Sequence, residues 1–373
     1  MADNHSGSHL DLLRSTKFDP PGSAIVDAII VPVAYSTDGL DTAIALARKL
    51  ECPLLALCSQ DATAANAVSR ATNRGIELVA IDTENIPHHL LPSFETTELL
   101  SSTVFAHTRD TSAKRNLGLL LAQLMGWRRI FFLDVDITVP EPGDLCHAAY
   151  LLDRYAAVGL TIDEFPDNSV VCHANRATGG DQRIFIGGGA LAVNTAATSS
   201  SFFPDVYNED WFFLLDGSGL YPAASTGLAK QDRYNPYSTA RAEAEEFGDC
   251  LAEGLFWLLD KGDGIQHATS QYWAHFLRLR SSFIDDVIDR LAGAEMSPAE
   301  RADITTALYA ARDRNKLIEP SLCVDYLNAW IADRVRWLGH VNERRGNIPG
   351  QFDRIAELLP RLDLMGCSSL TRT

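Results

Sequence analysis

Several signatures are missing from this 373-residue chain, and each absence removes a class of function. No apolar run approaches the roughly 20 residues that a membrane span needs. The opening stretch, MADNHSGSHLDLLRSTKFDPPGS, has neither the basic start nor the apolar core of a secretory signal, so a soluble, cytoplasmic protein with a flexible tail over 1–23 is expected. No cysteines are paired as CxxC. The seven thiols (Cys52, Cys58, Cys146, Cys172, Cys250, Cys323 and Cys367) are odd in number and scattered, which predicts reduced, mostly buried side chains rather than a disulfide framework or a zinc site. Positive charge is scarce: 32 Lys and Arg against 49 Asp and Glu leave a net −17, which speaks against nucleic acid as a partner. An anionic ligand would have to be met locally, by a divalent cation and a few placed arginines or lysines. The chain also lacks a P-loop lysine motif, a G-x-G-x-x-G fingerprint and any internal repeat.

What is present reads as an α/β protein. Ala24 to Tyr35 is a compact Ile- and Val-rich run suited to a strand buried on both faces, and Leu40, Ile44, Ala47 and Leu50 follow at helical spacing. Cys52 to Asp61 gives a second strand, residues 62–73 a helix stopped by Gly75, and Glu77 to Asp82 a third strand, so the first eighty residues alternate as a parallel sheet demands. A helix carrying Leu117, Leu121 and Leu124, closed by Gly126, then leads into RRIFFLDVDITVP. Beyond Phe247 the pattern is mainly helical. Ser297, Pro298 and Glu300 form a helix start, and Leu327, Trp330, Ile331, Leu338 and Val341 make a buried stripe.

The chemistry concentrates at the end of the fourth strand. Asp134 and Asp136, one residue apart, project to the same side of the chain, where they can share a divalent cation or divide metal and ribose between them. Hard carboxylate oxygens favour Mg²⁺ or Mn²⁺, and an acidic turn is the plainer alternative. Glu209 and Asp210 precede WFFLL, where they suit a helix N-terminus or a general base. Consecutive Gly187, Gly188 and Gly189 permit a backbone approach that side chains would obstruct.

The run AKRNLGLLLAQLMGWRRIFFLDVDITV, with VPVAYS near the start, resembles GT-A (Rossmann-like) glycosyltransferases, particularly the nonprocessive family 2-like nucleotide-sugar enzymes, over roughly residues 25–275. The resemblance implies a nucleobase contact at Asp61, donor contacts at Lys114 or Arg115, and ribose and metal contacts at Asp134 and Asp136. It further implies a small-residue turn at Gly188 and Gly189 against the donor sugar, and a catalytic pair at Glu209 and Asp210. A distant metal-binding histidine is implied at His267 in preference to His275. Lys114 and Arg115 also read as solvated first-turn charges. Asp181, Arg183 and Lys230 to Tyr237 are acceptor candidates or plain linkers.

The expected architecture is a mixed sheet flanked by helices, divided as tail 1–23, nucleotide-sugar and acceptor domain 24–280, and C-terminal helical region 281–373. The expected activity is transfer of one sugar from a UDP- or GDP-sugar to a hydroxyl of a small acceptor, metal-dependent and inverting with Asp210 as base. A retaining sugar-glycerate enzyme, a sugar-phosphate nucleotidyltransferase and a noncatalytic nucleotide-sugar-binding protein are the alternatives. The C-terminal helices either cover the acceptor cleft or form a homodimer interface.

Overall fold

The structure, a computed structural model, describes residues 7–371 apart from 17–18, 107–108, 164, 166–167 and 349. The first half alternates as its periodicity predicts, with the short helix α3 added to it: β1 (Ala28–Ala34), α1 (Leu40–Leu50), β2 (Leu54–Ser59), α2 (Ala64–Ala71), β3 (Leu78–Asp82), α3 (Glu95–Leu100), α4 (Thr111–Met125) and β4 (Arg129–Leu133). The second half is mixed: β5 (Ile137–Thr138), α5 (Gly143–Leu151), β6 (Ala157–Asp163), α6 (Val170–Ala177), β7 (Ala190–Asn194), α7 (Glu209–Phe213) and β8 (Ala223–Gln231). Helices α8 (Thr239–Asp260), α9 (Ser270–Leu291), α10 (Pro298–Asn315), α11 (Pro320–Asn347) and α12 (Ile355–Leu358) follow, and β9 (Ser368–Leu370) ends the order.

The strands form one sheet in the order β5-β8-β6-β7-β4-β1-β2-β3-β9. β1 to β4 run parallel, β7 lies antiparallel between β4 and β6, and β8 returns parallel to β6. Side chains alternate across the sheet as the pleat requires. Ile29, Val31 and Leu54 pack towards α1, α2 and α5 on one face, whereas Ile30, Leu55 and Val79 pack towards α4, α8 and α11 on the other. Local signals fix the helix ends. Gly126 closes α4 in the left-handed region at φ 74°, and the Ser297 hydroxyl accepts from Glu300 N at 3.2 Å to start α10. All seven cysteines are free and six are buried, Cys146 being half-buried.

The fold departs from the sequence reading in four places. Residues 7–16 are docked rather than forming part of a loose tail: His9 is buried against Glu253 and Asp260, Leu10, Leu12 and Leu13 pack on the core, and Arg14 N donates to Ala223 O at 2.8 Å. The rest of that expectation, at 1–6 and 17–18, lies outside the described residues. No boundary falls at 280, because α9 runs straight through it and the core joins the strands to α8, α9 and α11 without a break. β9 also returns to the sheet edge beside β3. On α11 the buried face is Tyr326, Trp330, Trp337 and Val341, and Ile331 is exposed.

Candidate active site

The carboxyl ends of parallel strands are where an open α/β sheet leaves a crevice, and the charged residues gather there. Asp134 follows β4 directly, its backbone N donating to Gly189 O at 2.9 Å. Across from it, the second turn of α4 supplies Arg115, which is 3% exposed. The guanidinium makes two 3.0 Å bonds from one nitrogen to both oxygens of Asp134 and a 2.5 Å bond from the other to Glu209. Asn208, in the left-handed region at φ 62°, turns the chain into α7 so that Glu209 and Asp210 open the helix side by side. Asp210 accepts from Gly188 N at 2.6 Å and from its neighbour Trp211 N at 2.9 Å.

This crowding explains the three glycines. A Cβ at Gly188 would lie 2.4 Å from the Arg115 guanidinium, one at Gly187 would lie 2.8 Å from the Asp210 carboxylate, and one at Gly189 would sit 3.3 Å from Asp134. The close approach is to the chain's own charged groups. The glycine run therefore lets one backbone segment thread among three ionised side chains.

The electrostatics separate the roles. Burial alone would disfavour the Arg115 charge, but Asp134 and then Glu209 outweigh it, so the guanidinium's pKa is raised and it remains a cation. Burial raises the pKa of Asp210, and Arg115 with the Gly188 and Trp211 amides only partly offsets this. A carboxylate with a raised pKa, held by backbone amides beside a cleft, is a stronger base than an ordinary aspartate. The cleft is lined by Arg115, Asp134, Glu209, Asp210, Trp211 and Gln231, among others.

The other sequence candidates fall in different places. Asp136 is half-buried and tied by a 3.2 Å bond from Nε2 of Gln231, the last residue of β8, which lines the cleft. Asp61 is exposed on the turn after β2, two strands from β4 at the same end of the sheet. Lys114 is neither solvated nor open to a ligand: it is 1% exposed, and its three protons go to Val33 O at 2.9 Å, the Ser59 hydroxyl at 2.6 Å and Asp110 at 3.0 Å. It ties α4 to the ends of β1 and β2.

His267 is not brought to the cluster. Its turn is fixed by Ile265 N donating to Ser218 O at 3.3 Å, just ahead of β8, whereas Asp136 is met by Gln231 at the far end of that strand. A nine-residue strand separates its two ends by roughly 26 Å. The surrounding polar loop made His267 look available, but the register of β8 places it at the wrong end.

No protein-family model and no curated protein matches the chain. Among solved structures, the mannosyltransferase PcManGT from Pyrobaculum calidifontis, in complex with GDP-Man and Mn²⁺, is similar at 15% identity and a TM-score of 0.41. That match covers 85% of this chain and 91% of the other.

Several residues at this end of the sheet, some of them lining the cleft, were not marked by sequence. Tyr35, at the end of β1, is 69% exposed and held in the left-handed region at φ 62°, a conformation a bulky residue seldom adopts without cause. Arg109 lines the cleft from the polar stretch ahead of α4. Cys172, Asp249 and Glu253 bring ligand atoms within 4.8 Å of one another along the same wall. Their carboxylates already have partners: Asp249 accepts from Arg280 at 2.5 Å and Asn208 at 3.1 Å, and Glu253 from His9 at 3.0 Å. The i, i+4 spacing of Asp249 and Glu253 on α8 was the available signal, and it reads equally as a solvated helix face.

Proposed function

We propose that the chain is a metal-dependent glycosyltransferase that moves a single sugar from a UDP- or GDP-sugar to a hydroxyl of a small acceptor, with inversion. The reading rests above all on the Arg115 hub, which gathers Asp134, Glu209, Asp210 and the 187–189 glycines from three separate stretches of chain into one cleft. Asp210 is the base. The acceptor oxygen forms a bond to the anomeric carbon and gives its proton to the Asp210 carboxylate. The bond from that carbon to the diphosphate oxygen breaks, and the nucleoside diphosphate leaves with the electron pair. A single base opposite the leaving group inverts the centre. Arg115 keeps Asp134 and Glu209 in place and holds positive charge beside the base.

The donor set suits a hard cation. Asp136 brings a carboxylate beside the Gln231 amide, and Asp134 keeps lone pairs beyond those taken by Arg115, so these residues would hold Mn²⁺ or Mg²⁺. When bound, the cation would neutralise charge on the departing diphosphate. In this reading Asp61, on the turn after β2, would meet the nucleobase, and Arg109, which lines the cleft, the phosphates. The loop at 35–39 has no lysine or arginine, unlike the basic loop that nucleotidyl transfer calls for.

Calorimetric titration with UDP, GDP, CDP and dTDP, with and without Mn²⁺, tests the proposal. One nucleotide should bind only with the metal, and Asp134→Asn, Asp136→Asn should weaken it by at least about tenfold, or 1.4 kcal/mol. If none of the four binds with Mn²⁺ present, the donor site is absent and the reading fails.

A further inference from the structure

The cleft does not end at Asp210. Ile162, Ile184 and Phe185 line both it and a second groove that runs away from the base along the end of β6. Leu10, Leu13 and Ile186 add to an aliphatic wall there. Two arginines line the same groove: Arg176, half-buried in the last turn of α6, and Arg183, exposed on the segment that leads to the glycines.

Neither guanidinium has a carboxylate partner among the described residues. Arg183 is tied only through its backbone, whose N donates to the Ser8 hydroxyl at 2.8 Å. Elsewhere on the surface Arg70, Arg129, Arg312 and Arg336 do pair with exposed carboxylates. Asp163, the one carboxylate among the described residues that line the groove, is exposed and has a partner of its own. The helix C-terminus gives Arg176 a structural reason to be there, but Arg183 lies on no helix. Two cations beside aliphatic surface, contiguous with the proposed base, ask for an anion attached to an apolar body.

We propose that this groove seats the acceptor and that the acceptor is an amphiphilic anion. Its carboxylate or phosphate is met by Arg176 and Arg183, its apolar body lies on Leu10, Leu13, Ile184 and Ile186, and its hydroxyl passes Ile162 and Phe185 towards Asp210. The role as acceptor rests on the transferase reading, whereas the anion selectivity stands without it. The docked N-terminal segment is thereby part of the binding wall.

The test is calorimetry with ω-hydroxydecanoate, monodecyl phosphate, decanediol and ω-aminodecanol on the full chain and on Arg176→Gln, Arg183→Gln. At least one of the two anions should bind at least about tenfold more tightly than the diol and the amine, since a charge-assisted bond is stronger than a neutral one, and the double variant should abolish the preference. The tighter of carboxylate and phosphate then identifies the head group. Equal affinity for anion and diol, or a preference that survives the double variant, overturns the proposal. Nucleotide titration of the same samples keeps the two readings apart. Anion selectivity without nucleotide binding leaves the groove and removes the transferase, and nucleotide binding without anion selectivity does the reverse.

Discussion

Arg115 and Arg280 are both buried guanidiniums held by carboxylates, yet they sit in different kinds of place. Arg280, fully buried on α9, bonds Glu246 at 2.9 and 3.1 Å and Asp249 at 2.5 Å, with both acids on α8 and 2% exposed. Arg115 bonds Asp134 and Glu209, whose side chains are 33% and 13% exposed to a cleft. Burying an arginine is therefore not what marks a reactive site. In the helical layer the acids are consumed by packing, and at the sheet end the same pairing leaves carboxylate edges turned towards solvent, where a ligand can reach them. The Arg280 centre is architecture; the Arg115 centre combines architecture with access.

Substitution should separate the two centres. Arg280→Met strands Glu246 and Asp249 in the core and should cost about 3–5 kcal/mol of stability by urea unfolding, with nucleotide affinity unchanged at temperatures where the variant is folded. A larger loss of nucleotide binding than of stability would erase the distinction. His9 supports the same helical layer through Glu253 and Asp260. Burial pushes its pKa down, but its hydrogen bonds to these two acids lift it to about 9 from the ordinary 6.5. Because the folded value is the higher, its stabilisation is complete below about pH 6.5 and is lost as pH rises through about 9, amounting to about 3 kcal/mol. Unfolding curves measured across that window should show the decline in wild type and a much flatter profile in His9→Gln.

At the other centre, Arg115→Met should lower turnover on the order of a hundredfold. It should also move the acid limb of the pH–rate profile to higher pH, because Arg115 holds the Asp210 pKa down against burial. An unmoved limb would disconnect the arginine from the base. The smallest effect is expected from Gly188→Ala, whose new methyl meets the movable guanidinium at 2.4 Å. It should cost about 1–3 kcal/mol in stability, with turnover falling as Arg115 is displaced.

The same contrast explains what the sequence disclosed. Strands β1 to β4 and helices α1, α2 and α4 follow from short-range periodicity, and the Asp134 and Asp136 pair from its position after FFL. Glu209 and Asp210 were marked as both helix start and candidate base, and the structure places them at the start of α7 beside the cleft. Contacts between distant segments were hidden. Lys114 looked like a surface charge because Val33 and Ser59, which take its protons, lie 81 and 55 residues away. The acids of α8 drew no reading because their cation comes from α9, and His9 looked like tail because Glu253 is 244 residues distant. His267 was misplaced for the same reason, since the sheet end it occupies is set by strand order and not by spacing.

The most direct test of the Arg115 centre as a transferase site is Asp210→Asn, assayed by mass spectrometry for sugar transfer from the bound nucleotide's sugar derivative to a hydroxylated acceptor. The account predicts nucleotide affinity equal to wild type and a transfer rate lowered at least about a hundredfold. Transfer at the wild-type rate would contradict it, because no proton acceptor at Asp210 would then be needed.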